Sequence, residues 1–314
     1  MAGIGIVNNP RSRRNRRLPE TGRRLRALLD GEGEVVDAST QDELAVAVER
    51  FKGRGIDLLG VNGGDGTGHV VLSAFVEAYG SAPLPALALL RGGAMNTVAD
   101  AHKLRGSPES ILRTILERRR AGAALRTVER DLLSVEAEGL PPRLGFLFGT
   151  GAVVAFLEAY YRTGRPTPAT AALLLVRAVG SALIAGEFAT QLTARETLRV
   201  TADGEEWPDD TYLAVLSGAV PELGFGFTPF SRCDEQPGFF HAVGVTGSTL
   251  QVAAHLPRIW LGRPWKRQLA MDAVTRDLVL ERPGGVRFTI DGDLYASAGA
   301  VRVRTGPPVR LVVP

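Results

Sequence analysis

Along the first 125 or so residues, short continuous apolar runs alternate with stretches whose apolar positions fall three or four apart, the pattern of a parallel α/β layer. Ile4 to Val7 reads as a first strand. A helix with Leu25, Leu28 and Leu29 on one side is predicted from about Pro19 to Gly31, with proline at its start and glycine at its end. Thr40-Gln41-Asp42-Glu43 fits a capping box ahead of a helix carrying Leu44, Val48 and Phe51. Ile56 to Val61 is the next apolar run, and behind it Val70, Val71, Ala74, Phe75 and Ala78 recur at helical spacing. Leu84 to Leu90 predicts another strand. Ser107-Pro108 then opens a helix containing Ile111, Leu112, Ile115 and Leu116, whose last turn is Arg118-Arg119-Arg120.

After about Val128 the pattern changes to short alternating segments with turn signals, as in an antiparallel β domain. Leu198 to Ala202 meets Asp203-Gly204, and Val286 to Ile290 meets Asp291-Gly292, both strong hairpin signals. Further strands are predicted at Leu132 to Glu136, Tyr212 to Ser217, Phe239 to Val245 and Leu278 to Glu281. Two apolar helical stretches between Val153 and Phe188 interrupt this region early. The expected fold is a two-domain α/β plus β-rich arrangement: a parallel-sheet domain over residues 1–127 and an antiparallel domain over residues 128–302.

Composition narrows the class. At 314 residues, 45% hydrophobic and 23% charged, the chain has room for two domains and the balance of a folded soluble protein. Its single cysteine, Cys233, excludes an internal disulfide framework and, with four scattered histidines, gives no zinc spacing. The first ten residues are strand-like and lack signal-peptide features, so the expected location is the cytoplasm. Eight arginines crowd between Arg11 and Arg26, a cluster suited to nucleotide phosphates or an anionic membrane and equally to a solvated basic segment; without interleaved aromatics it does not suit nucleic acid. The most apolar stretch, Ala169 to Ala185, is shorter than a spanning helix and contains Arg177, so it reads as a helix in a lipid-facing cleft, at a bilayer surface, or simply buried.

The apolar run ending at Val61 passes directly into Asn62-Gly63-Gly64-Asp65-Gly66-Thr67-Gly68. Glycines let the backbone approach a polyphosphate and turn its N–H groups toward it, Thr67 adds a hydroxyl, and Asp65 offers a carboxylate to Mg²⁺ or to a proton. The following helix would aim its positive end at the same phosphate. This points to phosphoryl transfer from a nucleotide, although such a loop also makes a tight turn without a ligand. The spacing is neither a Walker A loop, since no lysine follows, nor Gly-x-Gly-x-x-Gly.

The Gly63 to Thr67 loop, Asn9-Pro10 after the first strand, Gly93-Ala94-Met95-Asn96-Thr97-Val98-Ala99 and the late Asp291-Gly292-Asp293 occur in an order that resembles the diacylglycerol kinase catalytic family, which includes bacterial lipid kinases, sphingosine kinases and ceramide kinases. The resemblance implies an N-terminal α/β domain of the NAD kinase/diacylglycerol kinase-like kind, a β-rich C-terminal domain and a cleft between them that holds ATP and Mg²⁺. It implies that a final strand, at about 303–314, returns to the first domain. By the same resemblance, Asn9, Gly63, Gly64, Gly66, Thr67, Gly92, Gly93, Asn96 and Thr97 would surround the nucleotide, and Asp65 and Asp293 would face the metal. Asp291 or Asp65 would take the proton of the attacking alcohol. The implied partners are a lipid substrate and the inner face of a membrane, bound peripherally, and a homodimer is compatible with it.

The sequence departs from the family in the second loop, usually Gly-Thr-Gly-Asn-Asp, where Ala94, Met95 and Thr97 stand here. Val70 replaces a frequent Glu, and Asp293 replaces the Glu of Asp-Gly-Glu. A homologue that binds lipid or nucleotide with little turnover is therefore an alternative. So is a soluble-substrate kinase such as NAD kinase, against which stands the missing Thr-Pro-x-Gly-Ser-x-Ala-Tyr stretch. The segment Leu223 to Phe230 is a candidate acyl-chain path or a piece of core.

Overall fold

The structure, a computed structural model, describes residues 3–93, 96–164, 167–183 and 192–313. Ala94 and Met95 of the second glycine loop, and the end of the apolar stretch at Ala185, lie outside the described residues. The chain divides into two units, Met1–Arg130 with Pro307–Pro314, and Asp131–Gly306.

The first unit alternates strands and helices in chain order: β1 (Ile4–Asn8), α1 (Arg13–Arg17), α2 (Thr21–Leu29), β2 (Gly33–Asp37), α3 (Gln41–Gly53), β3 (Leu58–Asn62), α4 (Asp65–Tyr79), β4 (Ala86–Leu89), α5 (Thr97–Ala101) and α6 (Pro108–Arg120). Its strands lie in the order β4-β3-β1-β2, all parallel. Every residue of β1 and β3 is buried, as central parallel strands covered on both faces must be. On one face Leu25 and Leu29 of α2 meet Ile111, Leu112, Ile115 and Leu116 of α6 over Ile4, Ile6 and Leu58. On the other, Phe51 of α3 and Phe75 of α4 approach to 6.5 Å between ring centroids. The capping box at Thr40 is present, with Glu43 N–H on the Thr40 hydroxyl, and Ser107 caps α6 in the same way ahead of Pro108.

The second unit contains β5 (Thr127–Ala137, which begins in the first), β6 (Arg143–Gly145), β7 (Leu147–Thr150), α7 (Ala152–Arg162), α8 (Pro168–Leu183), β8 (Glu196–Thr197), β9 (Arg199–Ala202), β10 (Glu205–Glu206), β11 (Thr211–Tyr212), β12 (Ala214–Gly218), β13 (Phe240–Val245), α9 (Thr249–Trp260), β14 (Ala270–Thr275), β15 (Asp277–Glu281), β16 (Arg287–Ile290), β17 (Asp293–Ala296) and the first part of β18 (Val301–Val312). Six strands form one antiparallel sheet, β14-β13-β12-β7-β16-β17. Its inner side, with Phe148, Val215, Phe240 and Phe288, packs on Val200, Leu278, Leu280 and Val303 of a second set, β9-β15-β18. Late in β18 the chain re-enters the first unit, where Leu311 pairs in parallel with Leu87 of β4. The N-terminal α/β domain with a parallel sheet and the antiparallel β-rich C-terminal domain are thus both present.

Several elements went unread in the sequence. The stretch Arg11 to Arg17 is not simply a solvated basic segment, because α1 lies in it and buries Asn15. Strand β2 has only Val35 and Val36 as an apolar signal, too short a run to stand out. Helix α9 carries Pro257 in its interior, which reads as a break. Phe230 is fully buried, its ring over Gly218 and edge-on to His241, so this residue belongs to core and not to an acyl-chain path. Among the described residues no helix is long and apolar enough to cross a membrane.

Candidate functional site

The carboxyl ends of β1, β3 and β4 all open into loops on one edge of the parallel sheet, the place where α/β folds gather ligands. Gly64 is the N-cap of α4 with φ −88° and ψ −178°, and it has no side chain to occupy the first-turn N–H groups. Gly66 and Thr67 lie in that first turn, so the positive end of α4 is left for an anion. Asn9 donates from Nδ2 to the Thr67 hydroxyl at 2.9 Å, which joins the loop after β1 to the loop after β3. The Thr67 hydroxyl hydrogen stays available to donate.

Glycine is required here by close approach. A Cβ on Gly63 would lie 2.4 Å from the Thr67 side chain, and one on Gly93 would lie 2.3 Å from the Gly64 Cα. A Cβ on Gly92 would meet Asn62 Oδ1 at 2.5 Å. The two glycine loops therefore touch backbone to backbone. The second is tied internally, with Gly93 N–H donating to Asn96 Oδ1 at 3.1 Å and Asn96 Nδ2 donating back to the Gly93 carbonyl at 3.3 Å. Asn96 sits in the left-handed region, φ 54°, a conformation asparagine tolerates better than most side chains.

Asp65 binds the loops to each other. Its Oδ2 accepts from Thr97 N–H at 2.9 Å and its Oδ1 from Val98 N–H at 3.4 Å, so the carboxylate caps the start of α5. Burial pushes the Asp65 carboxyl above the usual range, against the opposing pull of these two N–H groups. Thr97 is buried, its N–H given to Asp65.

A polar layer not anticipated from the sequence lies underneath. Asn8, Asn15 and Asn62 are all buried. Asn62 Nδ2 donates to Asn8 Oδ1 at 2.7 Å, and Asn15 Nδ2 donates to the Asn9 carbonyl at 2.8 Å and the Asn62 carbonyl at 3.1 Å. Asn8 passes the network on to Asp37 at 2.6 Å. The signal was an asparagine at the carboxyl end of two otherwise apolar runs. Helix α1 closes over the second loop: Ser12 Oγ and Arg14 N–H both donate to the Gly92 carbonyl, at 3.0 and 3.2 Å. Arg14 Nε is buried with no hydrogen-bond partner among the described residues.

In the second unit, Asp291 and Gly292 form the turn between β16 and β17 with φ 47° and 94°. Asp203 and Gly204 make the same turn, φ 48° and 87°, between β9 and β10. In both, the carboxylate accepts main-chain N–H groups: Asp203 from Arg276 and Asp277, and Asp291 from Phe146 at 3.1 Å and Leu147 at 2.9 Å. Asp291 is buried; Asp293, two residues on, opens β17 and is partly exposed. Tyr161 of α7 donates to the Gly292 carbonyl at 2.8 Å, a fixing contact the sequence did not suggest. Asn9, Gly63, Gly64, Asp65, Gly66, Thr67, Gly92, Gly93, Asn96 and Thr97 are thus gathered in the first unit, whereas Asp291 and Asp293 belong to the second.

Residues 4–128 match the family of the diacylglycerol kinase catalytic domain. No curated protein matches the sequence. Among solved structures, the chain is similar to a diacylglycerol kinase from Bacillus anthracis str. Sterne, with TM-score 0.65 and 13% identity over 99% of this chain and 97% of that one. A second structure from that organism aligns with TM-score 0.69 and 15% identity over the same shares. Yeast NADH kinase complexed with NADH aligns with TM-score 0.51 and 10% identity, over 100% of this chain and 84% of that one. At such identities these likenesses show the fold. By its match over residues 4–128 and its fold along nearly the whole length, the chain is similar to the diacylglycerol kinase catalytic family, the resemblance that its two glycine loops carry.

Proposed function

We propose that this protein is an ATP-dependent lipid kinase that transfers the γ-phosphate to a hydroxyl of a diacylglycerol, sphingoid or related lipid. The observation that carries the reading is the interlocked pair of glycine loops at the open start of α4, with the Thr67 hydroxyl bridged to Asn9 and the Arg14 N–H tied to the Gly92 carbonyl. Positioning and charge neutralisation dominate phosphoryl transfer, and main-chain N–H groups with one hydroxyl contribute to both.

The donor set fits a nucleotide triphosphate with Mg²⁺. Any side chain on Gly63 or Gly93 would collide with Thr67 or with the Gly64 backbone and so disturb the loops that form the cradle. Among the described residues no three His, Cys, Asp or Glu side chains gather as a metal cage. One or two carboxylates completed by phosphate oxygens and water are the mode Mg²⁺ favours. Mg²⁺ when bound would neutralise charge developing between the phosphates. Asp65 would hold it from its place at the joint of the two loops, with Asp293 the other proposed ligand. Asp291 is the proposed base, oriented by Phe146 and Leu147 N–H.

A second reading, a lipid- or nucleotide-binding homologue with little turnover, is favoured by one feature: both carboxylates already accept backbone N–H groups in a structural role. Transfer of label from γ-labelled ATP with Mg²⁺ into a total lipid extract separates the two, comparing wild type with Asp65→Asn and Asp291→Asn. Labelled lipid with wild type, lost in both variants, supports the kinase. ATP binding without labelled lipid moves the assignment to the binding protein. Labelled NAD from an NAD-supplemented control would favour the soluble-substrate kinase, whose fold the chain also shares.

A further inference from the structure

Helix α8 is apolar apart from Thr170, Arg177 and Ser181, yet one side of it, with leucine and valine on it, faces solvent. Leu173 and Val176 are 68% and 69% exposed on that side, next to Arg177. Helix α9 packs against α8 and repeats the pattern. Leu250, Ala254, Pro257 and Leu261 recur at helical spacing and are all exposed, with Leu250 at 51% and Leu261 at 59%. Trp260 stands 58% exposed beside them, its indole nitrogen close to Gly226.

The two stretches of chain that form this surface carry charge of one sign. Neither residues 168–183 nor residues 249–269 contain an Asp or Glu, whereas they hold Arg177, Arg258, Arg263, Lys266 and Arg267. The whole chain carries a net charge of only +3, so these acid-free stretches stand out, as does the arginine-rich stretch from Arg11 to Arg26 in the first unit. Arg263, Lys266 and Arg267 follow Trp260 and Leu261 directly and are exposed. An exposed tryptophan and leucines flanked by unopposed cations are the elements of an interfacial anchor: the apolar groups enter the headgroup boundary and the cations meet anionic lipid. Neither helix is long and apolar enough to span. A second protein chain would cover the apolar groups equally well, but it would have to supply acids to match the exposed Arg263, Lys266 and Arg267.

We infer that the α8–α9 face, with the Trp260 to Arg267 segment as its charged rim, docks this protein peripherally on an anionic bilayer. The inference stands apart from the kinase reading, because it concerns a surface made only of second-unit residues and is read by binding without nucleotide. The full chain is sedimented with sucrose-loaded vesicles of phosphatidylcholine alone and of phosphatidylcholine with about one-third phosphatidylserine. Wild type should pellet with the anionic vesicles and be released by salt, since surface attraction dies within a Debye length. Arg263→Glu/Lys266→Glu/Arg267→Glu should weaken this binding on the order of tenfold or more. Trp260→Ser/Leu261→Ser should weaken it also at high salt, and unchanged far-ultraviolet circular dichroism would show that both variants remain folded. Failure of wild type to bind anionic vesicles overturns the inference, as does equal binding by wild type and both variants. Dimerisation in light scattering without lipid, abolished by Trp260→Ser/Leu261→Ser, would reassign the face to self-association. Transfer of label to a short-chain, water-soluble diacylglycerol reports separately on the kinase, so either reading can fail alone.

Discussion

Asp65 is asked to do two things, and the pH dependence of stability separates them. Its carboxyl is pushed up by burial, so the native state favours the protonated form more than the unfolded chain does. A raised native value gives stability that is fully present below the unfolded pKa of about 4 and is lost as pH rises through the native one. The stability of wild type relative to Asp65→Asn should therefore fall from about pH 4 upward, as followed by urea unfolding at stepped pH. A difference that grows with pH would mean that the Thr97 and Val98 N–H groups outweigh burial. Asp272 is the opposite case. His241, whose Nε2 lies 3.4 Å from Asp272 Oδ2, and Arg232, bonded to Oδ1 at 2.8 Å, hold this carboxyl below the usual range. Its contribution is present above the unfolded pKa and is lost as pH falls through the native one. Asp272→Asn should cost about 1–3 kcal/mol near neutral pH, and the deficit should vanish on acidification.

At the scale of elements, the interlocked loops predict a sharp difference between neighbouring glycines. Gly93 meets the Gly64 backbone, which cannot move aside as a flexible side chain would. Gly93→Ala should therefore pry the loop ahead of α5 away from the start of α4. A loss of about 1–3 kcal/mol in stability is expected, with a larger proportional loss of nucleotide binding by calorimetry. Gly68→Ala, in α4 where a Cβ meets nothing within 4 Å, is the control and should bind as wild type does. Equal binding by both variants would count against the loops as the nucleotide site. These loops were legible in the sequence because glycine spacing after an apolar run has few other uses. Their underlayer was not: Asn8, Asn15 and Asn62 act through contacts between positions far apart in the chain, and nothing local distinguishes a buried asparagine from one in a turn. Both Asp-Gly hairpins were legible for a local reason, since positive φ at two successive residues is what that dipeptide permits. Helix α1 was obscured because five consecutive polar residues carry no apolar period, and only the burial of Asn15 turns that segment inward.

At the scale of the whole molecule, the long strand β18, like β5, belongs to both units, and this makes their independence testable. Val303 of β18 is buried in the second unit's core, opposite Leu278. Leu311 and Val312 of the same strand are buried in the first, where Leu311 pairs with Leu87 and Val312 joins Ile4 and Leu58. The return of a final strand to the first unit was an expectation from the family resemblance, whereas its parallel pairing with Leu87 rests on a partner that no nearby residue announces. Removing buried methylenes costs about 2–5 kcal/mol for Leu→Ala and somewhat less for Val→Ala. If each unit unfolds on its own, Leu311→Ala should speed amide hydrogen exchange in β1, β3 and β4 and leave β12 and β13 protected as in wild type, and Val303→Ala should do the reverse. If both substitutions accelerate exchange in all five strands equally, the two cores unfold as one cooperative body, and β18, together with β5, is a covalent route by which that cooperativity is carried.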